Sequence, residues 1–193
     1  MTKMLVETYV DGKYDPIKIV NSMVLAFSDD PFIRWIYPSV EQYLNSFPDF
    51  IQFLINDLFC ISYTKDYAGA AFWLSSGEEI DLNTLQEYFR KTLSSSGFNK
   101  IEAVFEKLIE AHPQVPHHYL ALLGVEPGKQ GQGYELSLLE SILIKCDRIQ
   151  ETVYLETCNP RSAAFYERQG FEPRETIQIV DCPLIFPMIL YPQ

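Results

Sequence analysis

Between positions 120 and 143 the chain reads LALLGVEPGKQGQGYELSLLESIL. An apolar run ends at Gly124-Val125-Glu126-Pro127. Gly128, Gly131 and Gly133 follow, interleaved with Lys129, Gln130 and Gln132, and a helical pattern starts at Tyr134. The first N–H groups of a helix have no internal partner and lie at the positive end of its dipole. Glycines let an anion approach those amides with no Cβ in the way. A strand, a glycine-rich turn and a helix start, in that order, therefore read as a phosphate cradle. The spacing is neither GxGxxG nor that of a P-loop, because no Gly-Lys-Ser/Thr follows. Dinucleotide-binding and nucleotide-hydrolysing loops are thereby disfavoured.

A second group lies downstream in YLETCNPRSAAFYERQGFE. Glu156 sits in an otherwise apolar strand, where a buried carboxylate needs partners. Asn159, Pro160 and Gly170 read as N-cap, first helical residue and C-terminal cap of a short helix. Tyr166, next to Phe165, would by default be a core aromatic, and Cys158 a packed thiol. His117 and His118 open the strand that ends at Val125. Successive strand residues face opposite ways, so one of the two should face any cleft there. A histidine has the better proton affinity for base chemistry near neutral pH. Glu156, on the other hand, sits on the strand that should pass close to a ligand in the cradle.

These side chains have to be positioned by a sheet. MLVETYV alternates like a strand, and Asp15-Pro16 opens a helix carrying Ile17, Val20, Val24 and Phe27. SDDPFIRWIYP breaks the pattern. A helical region from Val40 to Phe59 follows, with Pro48 expected to divide it. CISYTKDYAGAAFWLS reads as a hairpin. Two helices are expected over 81–112, split at SSSGFN. FEPRETIQIV and CPLIFPMILY read as closing antiparallel strands. The last is apolar enough either to pair across a homodimer or to close the sheet internally. The early hairpin argues for antiparallel pairing and the later strand-helix-strand for one parallel pair. The fold class is therefore α/β, in the α+β sense of a mixed sheet with helices on both faces.

The bulk composition limits the function. The 193 residues suit one domain and are 47% hydrophobic and 21% charged, enough for a core and too little charge for disorder. Fifteen basic residues against 26 acidic ones give a net charge of −11, which disfavours nucleic acid and anionic membranes as partners. The same field suits a cationic small substrate, although acidity for solubility alone is common. The four cysteines have no CxxC spacing, so no metal or redox site is expected. No leader-like apolar segment and no run of membrane-spanning length is present, which points to reduced thiols in the cytoplasm.

GVEPGKQGQGYELSLLESIL resembles the acyl-CoA pyrophosphate loop of the GNAT acyltransferase superfamily, Q/R-x-x-G-x-G/A after a strand ending V-x-P. Gln130, Gly131 and Gly133 match it, whereas Glu135 stands where the family prefers Gly or Ala. YLETCNPRSAAFYERQGFE resembles the family's next block. Together with AFSDDPFIRWIYP, the two are similar to the subgroup that includes puromycin N-acetyltransferase. The resemblance implies one GNAT-like domain over 1–193, with a mostly antiparallel sheet whose parallel pair splays at the cofactor site. It implies an N-acetyltransferase that uses acetyl-CoA as co-substrate and a small-molecule amine as acceptor. The pantetheine arm would run along Leu123, Gly124 and Val125, with Gly124 suiting a bulge or splay. Pyrophosphate would lie on the amides of Gln130, Gly131, Gln132, Gly133 and Tyr134. Asn159 would contact the cofactor, and Tyr166 would protonate the departing thiolate. The base that deprotonates the acceptor is left among Glu156, His117, His118 and water, with Glu156 placed slightly ahead. A non-catalytic acyl-CoA sensor on the same fold is the rival reading, motivated by Glu135.

Overall fold

The computed structural model describes residues 8–10, 13–57, 60–78, 81–179 and 181–193. Residues 4–7 of the expected first strand, and Phe59 and Val180, lie outside the described residues. The chain runs β1 (Thr8–Val10), α1 (Pro16–Ala26), α2 (Pro31–Ile36), α3 (Val40–Asp57), β2 (Cys60–Thr64), β3 (Gly69–Leu74), α4 (Leu82–Thr92) and α5 (Ser95–Ala111). It continues with β4 (His117–Val125), α6 (Tyr134–Ile149), β5 (Thr152–Thr157), α7 (Pro160–Arg168), β6 (Glu172–Pro173) and β7 (Phe186–Leu190). The seven strands form one sheet in the order β1-β2-β3-β4-β5-β7-β6. Only β4 and β5 are parallel; the other described pairs are antiparallel.

Alternation along β3 divides the core into two layers. Ala70 and Phe72 face a layer built with Ile19, Met23, Phe47 and Phe89 from the first helices. Ala71 and Trp73 face the other layer, built with Leu138, Leu139 and Tyr166 from α6 and α7. Helices therefore cover both faces of the mixed sheet, as the sequence implies.

Four details differ from the sequence reading. Pro48 does not divide α3, which runs unbroken through it. Leu44, whose carbonyl loses its i+4 donor to the proline, lies on the exposed side of the helix, where water can replace that bond. SDDPFIRWIYP contains a short helix, α2, capped by Asp30 with Pro31 at its first position. Most of SSSGFN is already helical, since α5 starts at Ser95 with Ser94 as N-cap. The closing strands pair over a shorter length than expected. β6 holds two residues, and beyond it, among the described residues, only an isolated bridge joins Ile177 to Ile185, with Asp181 turning the chain at φ 63°. β7 lies inside the sheet between β5 and β6, so CPLIFPMILY closes the sheet internally.

Several phenols are buried, and burial pushes those of Tyr37, Tyr154 and Tyr166 well above their ordinary range. The unfolded chain releases such protons near pH 10 while the folded chain keeps them. Stability from this source is full below about pH 10 and falls as pH rises further. A melting series should be flat on the approach to that pH and fall beyond it. A flat response through about pH 11 would contradict the burial of these hydroxyls.

Candidate active site

β4 and β5 pair only from His117–Thr152 to Leu120–Leu155. Beyond Leu120, β4 runs on to Val125 without β5 beside it, so one edge of this segment is left open. The divergence starts at a bulge: Trp73 pairs with Leu120 and Phe72 with Leu122, which leaves Ala121 as the extra residue. An added residue bends its strand and increases the local twist. The expected splay is therefore present, but Ala121 makes it rather than Gly124. Gly124 is bare for another reason. A Cβ there would meet Phe27 Cε2 at 2.6 Å and Ala26 Cβ at 2.9 Å, so glycine permits α1 to close on β4.

The open edge leads into the glycine turn. Gly131 has φ 71° and Gly133, the N-cap of α6, has φ 93°; a Cβ at either would meet open space. These glycines are needed for conformation rather than for room. No side chain caps α6. Gln130 Nε2 donates to the Val125 carbonyl at 3.0 Å and Gln132 Nε2 to the Gly128 carbonyl at 2.9 Å, so both amides stitch the loop to itself. The Tyr134 hydroxyl donates to Asp66 Oδ2 at 2.8 Å, and Lys129 Nζ lies 3.3 Å from that hydroxyl. Burial raises the Asp66 carboxyl, but hydrogen bonds from Tyr134, Thr64 and the Ala68 amide, with Lys129 nearby, bring it below its ordinary value. The loop is thereby tied to the β2–β3 turn. One carboxylate lies within it: the Gly131 N–H donates to Glu135 Oε1 at 3.3 Å.

A groove of about 780 Å³ runs between this loop and α7. From β4 and the loop it is lined by Leu123, Gly124, Val125, Gln130, Gly131 and Gly133, together with Glu135. Asn159, Arg161, Ser162, Tyr166 and Arg168 line it from α7. The Asn159 side chain accepts from the Arg161 N–H at 3.0 Å and so caps α7 as expected. Gln132 and the Tyr134 ring do not line the groove; each turns to the partner already named. Arg161 and Arg168 were missed in the sequence. Their seven-residue spacing puts them on one face of α7, which was the available signal.

A second cavity, of about 190 Å³, lies on the face covered by the first helices. Phe27, Phe32, Phe50, Phe89 and Phe105 give it aromatic walls, and Glu156 and Asp30 supply its carboxylates. Groove and cavity share Phe27, Asp30, Leu123, Ser162 and Tyr166, which places their junction. Tyr166 is held there by edge contacts to Phe165 and Phe171 at 5.2 and 5.5 Å. Burial, with Glu135 adding to it, keeps its phenol protonated. Asp30 Oδ1 accepts from the Phe32 and Ile33 amides at 3.0 Å each. Burial nevertheless raises its carboxyl. Cys158 also faces the cavity, and burial pushes its thiol far up, so it is not a thiolate nucleophile. Neither His117 nor His118 lines either space. His118 is buried, with Nε2 2.7 Å from Glu151 Oε2.

The family model of the acetyltransferase (GNAT) family matches residues 82–171, from α4 through the glycine turn to the end of α7. That segment is similar to the GNAT family, and the chain has the GNAT fold. Its GNAT fold is shared along nearly the whole length with solved structures. One is the histone acetyltransferase HPA2 and related acetyltransferase from Corynebacterium glutamicum, 24% identical, with 98% of each chain covered and a TM-score of 0.74. Another is arylalkylamine N-acetyltransferase 2 from Aedes aegypti, 15% identical, covering 96% of this chain and 98% of that one at TM-score 0.66. A third is the polyamine N-acetyltransferase of Drosophila melanogaster, 14% identical, covering 96% of this chain and 100% of that one at TM-score 0.63. The bulge at Ala121 and the open edge beyond it are the part of this GNAT sheet that shapes the groove.

Proposed function

We propose that this protein transfers an acetyl group from acetyl-CoA to the amine of a small molecule with an apolar body. The observation that carries this reading is the junction, at Tyr166 and Leu123, of the groove beside the glycine turn with the aromatic cavity. Pyrophosphate would rest on the backbone amides from Gln130 to Tyr134, with Arg161 and Arg168 adding positive charge from the opposite wall. The pantetheine arm would follow the open edge at Leu123–Val125, with Asn159 close to it, and a backbone N–H of that edge would polarise the thioester carbonyl. The amine nitrogen, held in the cavity, attacks the acetyl carbon directly. The C–S bond breaks and Tyr166 gives its proton to the sulfur. Glu156 takes the proton that the ammonium must lose.

The cavity narrows the acceptor. A dry cavity of about 150 Å³ holds one benzene ring, so about 190 Å³ suits one ring or a short alkyl body with its amine. A second cation on the far end would face phenylalanines and be left without a partner. With acetyl-CoA and thiol detection, phenethylamine should exceed spermidine and agmatine in kcat/KM by on the order of 100-fold. That is near the lower end of the roughly 3–5 kcal/mol that a buried charge without a partner costs. Preference for the polyamines would overturn this assignment of the cavity.

Glu135 supports a second reading, a CoA-binding sensor without turnover. Its carboxylate already accepts from the Gly131 amide that the pyrophosphate would need. Glu135→Gln keeps the helix and removes the charge. CoA affinity should rise roughly two- to fivefold, the value of about 0.5–1 kcal/mol for a charge at a helix start. Unchanged affinity, measured by calorimetry, would mean that the carboxylate swings clear of the ligand.

A further inference from the structure

Two histidines missing from the transfer scheme form a chain that starts at Glu156. His112 ends α5 and His117 opens β4. His112 Nε2 stands 3.4 Å from Glu156 Oε1. Its other ring nitrogen, Nδ1, stands 3.2 Å from His117 Nε2, and His117 Nδ1 stands 2.9 Å from the Val115 carbonyl oxygen. The Glu156 side chain is 6% exposed and the His112 side chain 26%, so the chain runs from the cavity wall outwards. Among the described residues, Glu156 Oε1 has no well-formed hydrogen bond despite its burial. Such an oxygen is costly unless it has a partner for part of the cycle.

Protons along this chain can be counted, with tautomers assigned from the hydrogen bonds. The Val115 carbonyl only accepts, so His117 Nδ1 carries a hydrogen. Burial, partly opposed by the Val115 carbonyl, lowers the proton affinity of His117 and keeps it neutral. Its Nε2 therefore has a lone pair, and His112 Nδ1 must be the donor to it. What is left between His112 Nε2 and Glu156 Oε1 is one proton or none.

We propose that Glu156 and His112 act as one proton-accepting pair and that, through His117, they carry the acceptor's ammonium proton from the cavity to solvent. This rests on the acetyl-transfer reading. The proposed cycle starts with no proton on Glu156 Oε1 or His112 Nε2. An ammonium N–H bond breaks, an O–H bond forms on Glu156, and the freed nitrogen lone pair attacks the acetyl carbon. The proton moves to His112 Nε2. His112 passes its Nδ1 proton to His117 Nε2, and the resulting imidazolium releases a proton to water. One proton enters and one leaves; ring reorientation restores the tautomers. Glu156 touches the acceptor and is the catalytic residue, whereas His112 acts through it and is a positioning residue.

Other groups bear on the pair. The Tyr119 and Tyr154 phenols feel the Glu156 carboxylate: burial, followed by that charge, holds both well above their ordinary range. They stay protonated. Asp30, Tyr166 and Cys158 line the same cavity. Arg174 bears on Tyr154, and His118, itself against Glu151, bears on His117.

The test needs no acceptor in its first arm. Nitrogen-edited NMR of the histidine rings, in the full chain and in Glu156→Gln, follows each ring through pH. His117 should show the Nδ1–H tautomer, and the His112 midpoint should move to lower pH in Glu156→Gln. An unmoved midpoint, or a His117 ring protonated only at Nε2, would overturn the proposal. In the second arm, His112→Gln should lower kcat/KM for phenethylamine by about tenfold or more. That compares with the 10²–10⁴-fold a positioned base contributes. The pH profile should shift as well, while the CoA-induced thermal shift stays in place. His112→Asn guards against a folding defect. A normal rate with an unshifted profile in both variants overturns the relay. Coupled rings without transfer to any amine would keep the Glu156–His112 pair and remove the acetyl-transfer reading instead.

Discussion

Tyr166→Phe should lower kcat about 100-fold or more, within the range that a positioned acid contributes, and leave CoA binding unchanged. The removed atom is one hydroxyl. The ring would keep its edge contacts with Phe165 and Phe171, so folding should be little affected. The phenol stands at the junction of groove and cavity, where the sulfur of the thioester must lie if acetyl is to reach an amine. Burial holds it protonated far above neutral pH, so it is a donor throughout the working range. The wild-type profile should therefore show no alkaline limb from this group below about pH 10, its ordinary range. Turnover that survives the substitution intact would remove Tyr166 from the chemistry and leave the thiolate to a water.

Gly124→Val should destabilise the chain by about 1–3 kcal/mol, the cost of overpacking a filled site. For a protein of this size that corresponds to a fall in Tm of roughly 2–4 °C per kcal/mol. The new side chain would enter Phe27, Ala26 and the Met23 sulfur, all on the last turn of α1 and its cap. Phe27 lines both groove and cavity, so relief of the clash would move the wall they share. Both acceptor and CoA affinity should fall together. Gly128→Ala is the control, since nothing lies within 4 Å of a Cβ there. Equal melting temperatures for Gly124→Val and wild type would show that α1 does not close on β4 as described.

The parts that were legible in the sequence are those written by local rules. Asn159, Pro160 and Gly170 bound α7 because cap, first turn and left-handed exit each demand a particular residue type. The glycine turn before α6 was legible for the same reason. α2 was overlooked although Asp30-Pro31 carries the same start signal, because six residues are too few to show a period. The bulge at Ala121 left no mark, since it arises from the register between β3 and β4. In the sequence His112 marks only the end of the helical region 81–112. Its contact with Glu156 joins the end of α5 to β5 across 44 positions, a distance no local pattern spans. Asp30 at the junction of the two spaces is likewise a product of tertiary folding.

Acetyl-CoA held in the groove between the glycine turn and α7 should stabilise the fold against heat. Thermal melting with acetyl-CoA, with free CoA and with ATP as a control tests it most directly. At 100 times the dissociation constant a ligand adds about 2.7 kcal/mol, which should raise Tm by roughly 5–10 °C for a chain of this length. Both CoA ligands should give that rise and ATP should not. No rise at millimolar acetyl-CoA, or an equal rise with ATP, would contradict the account.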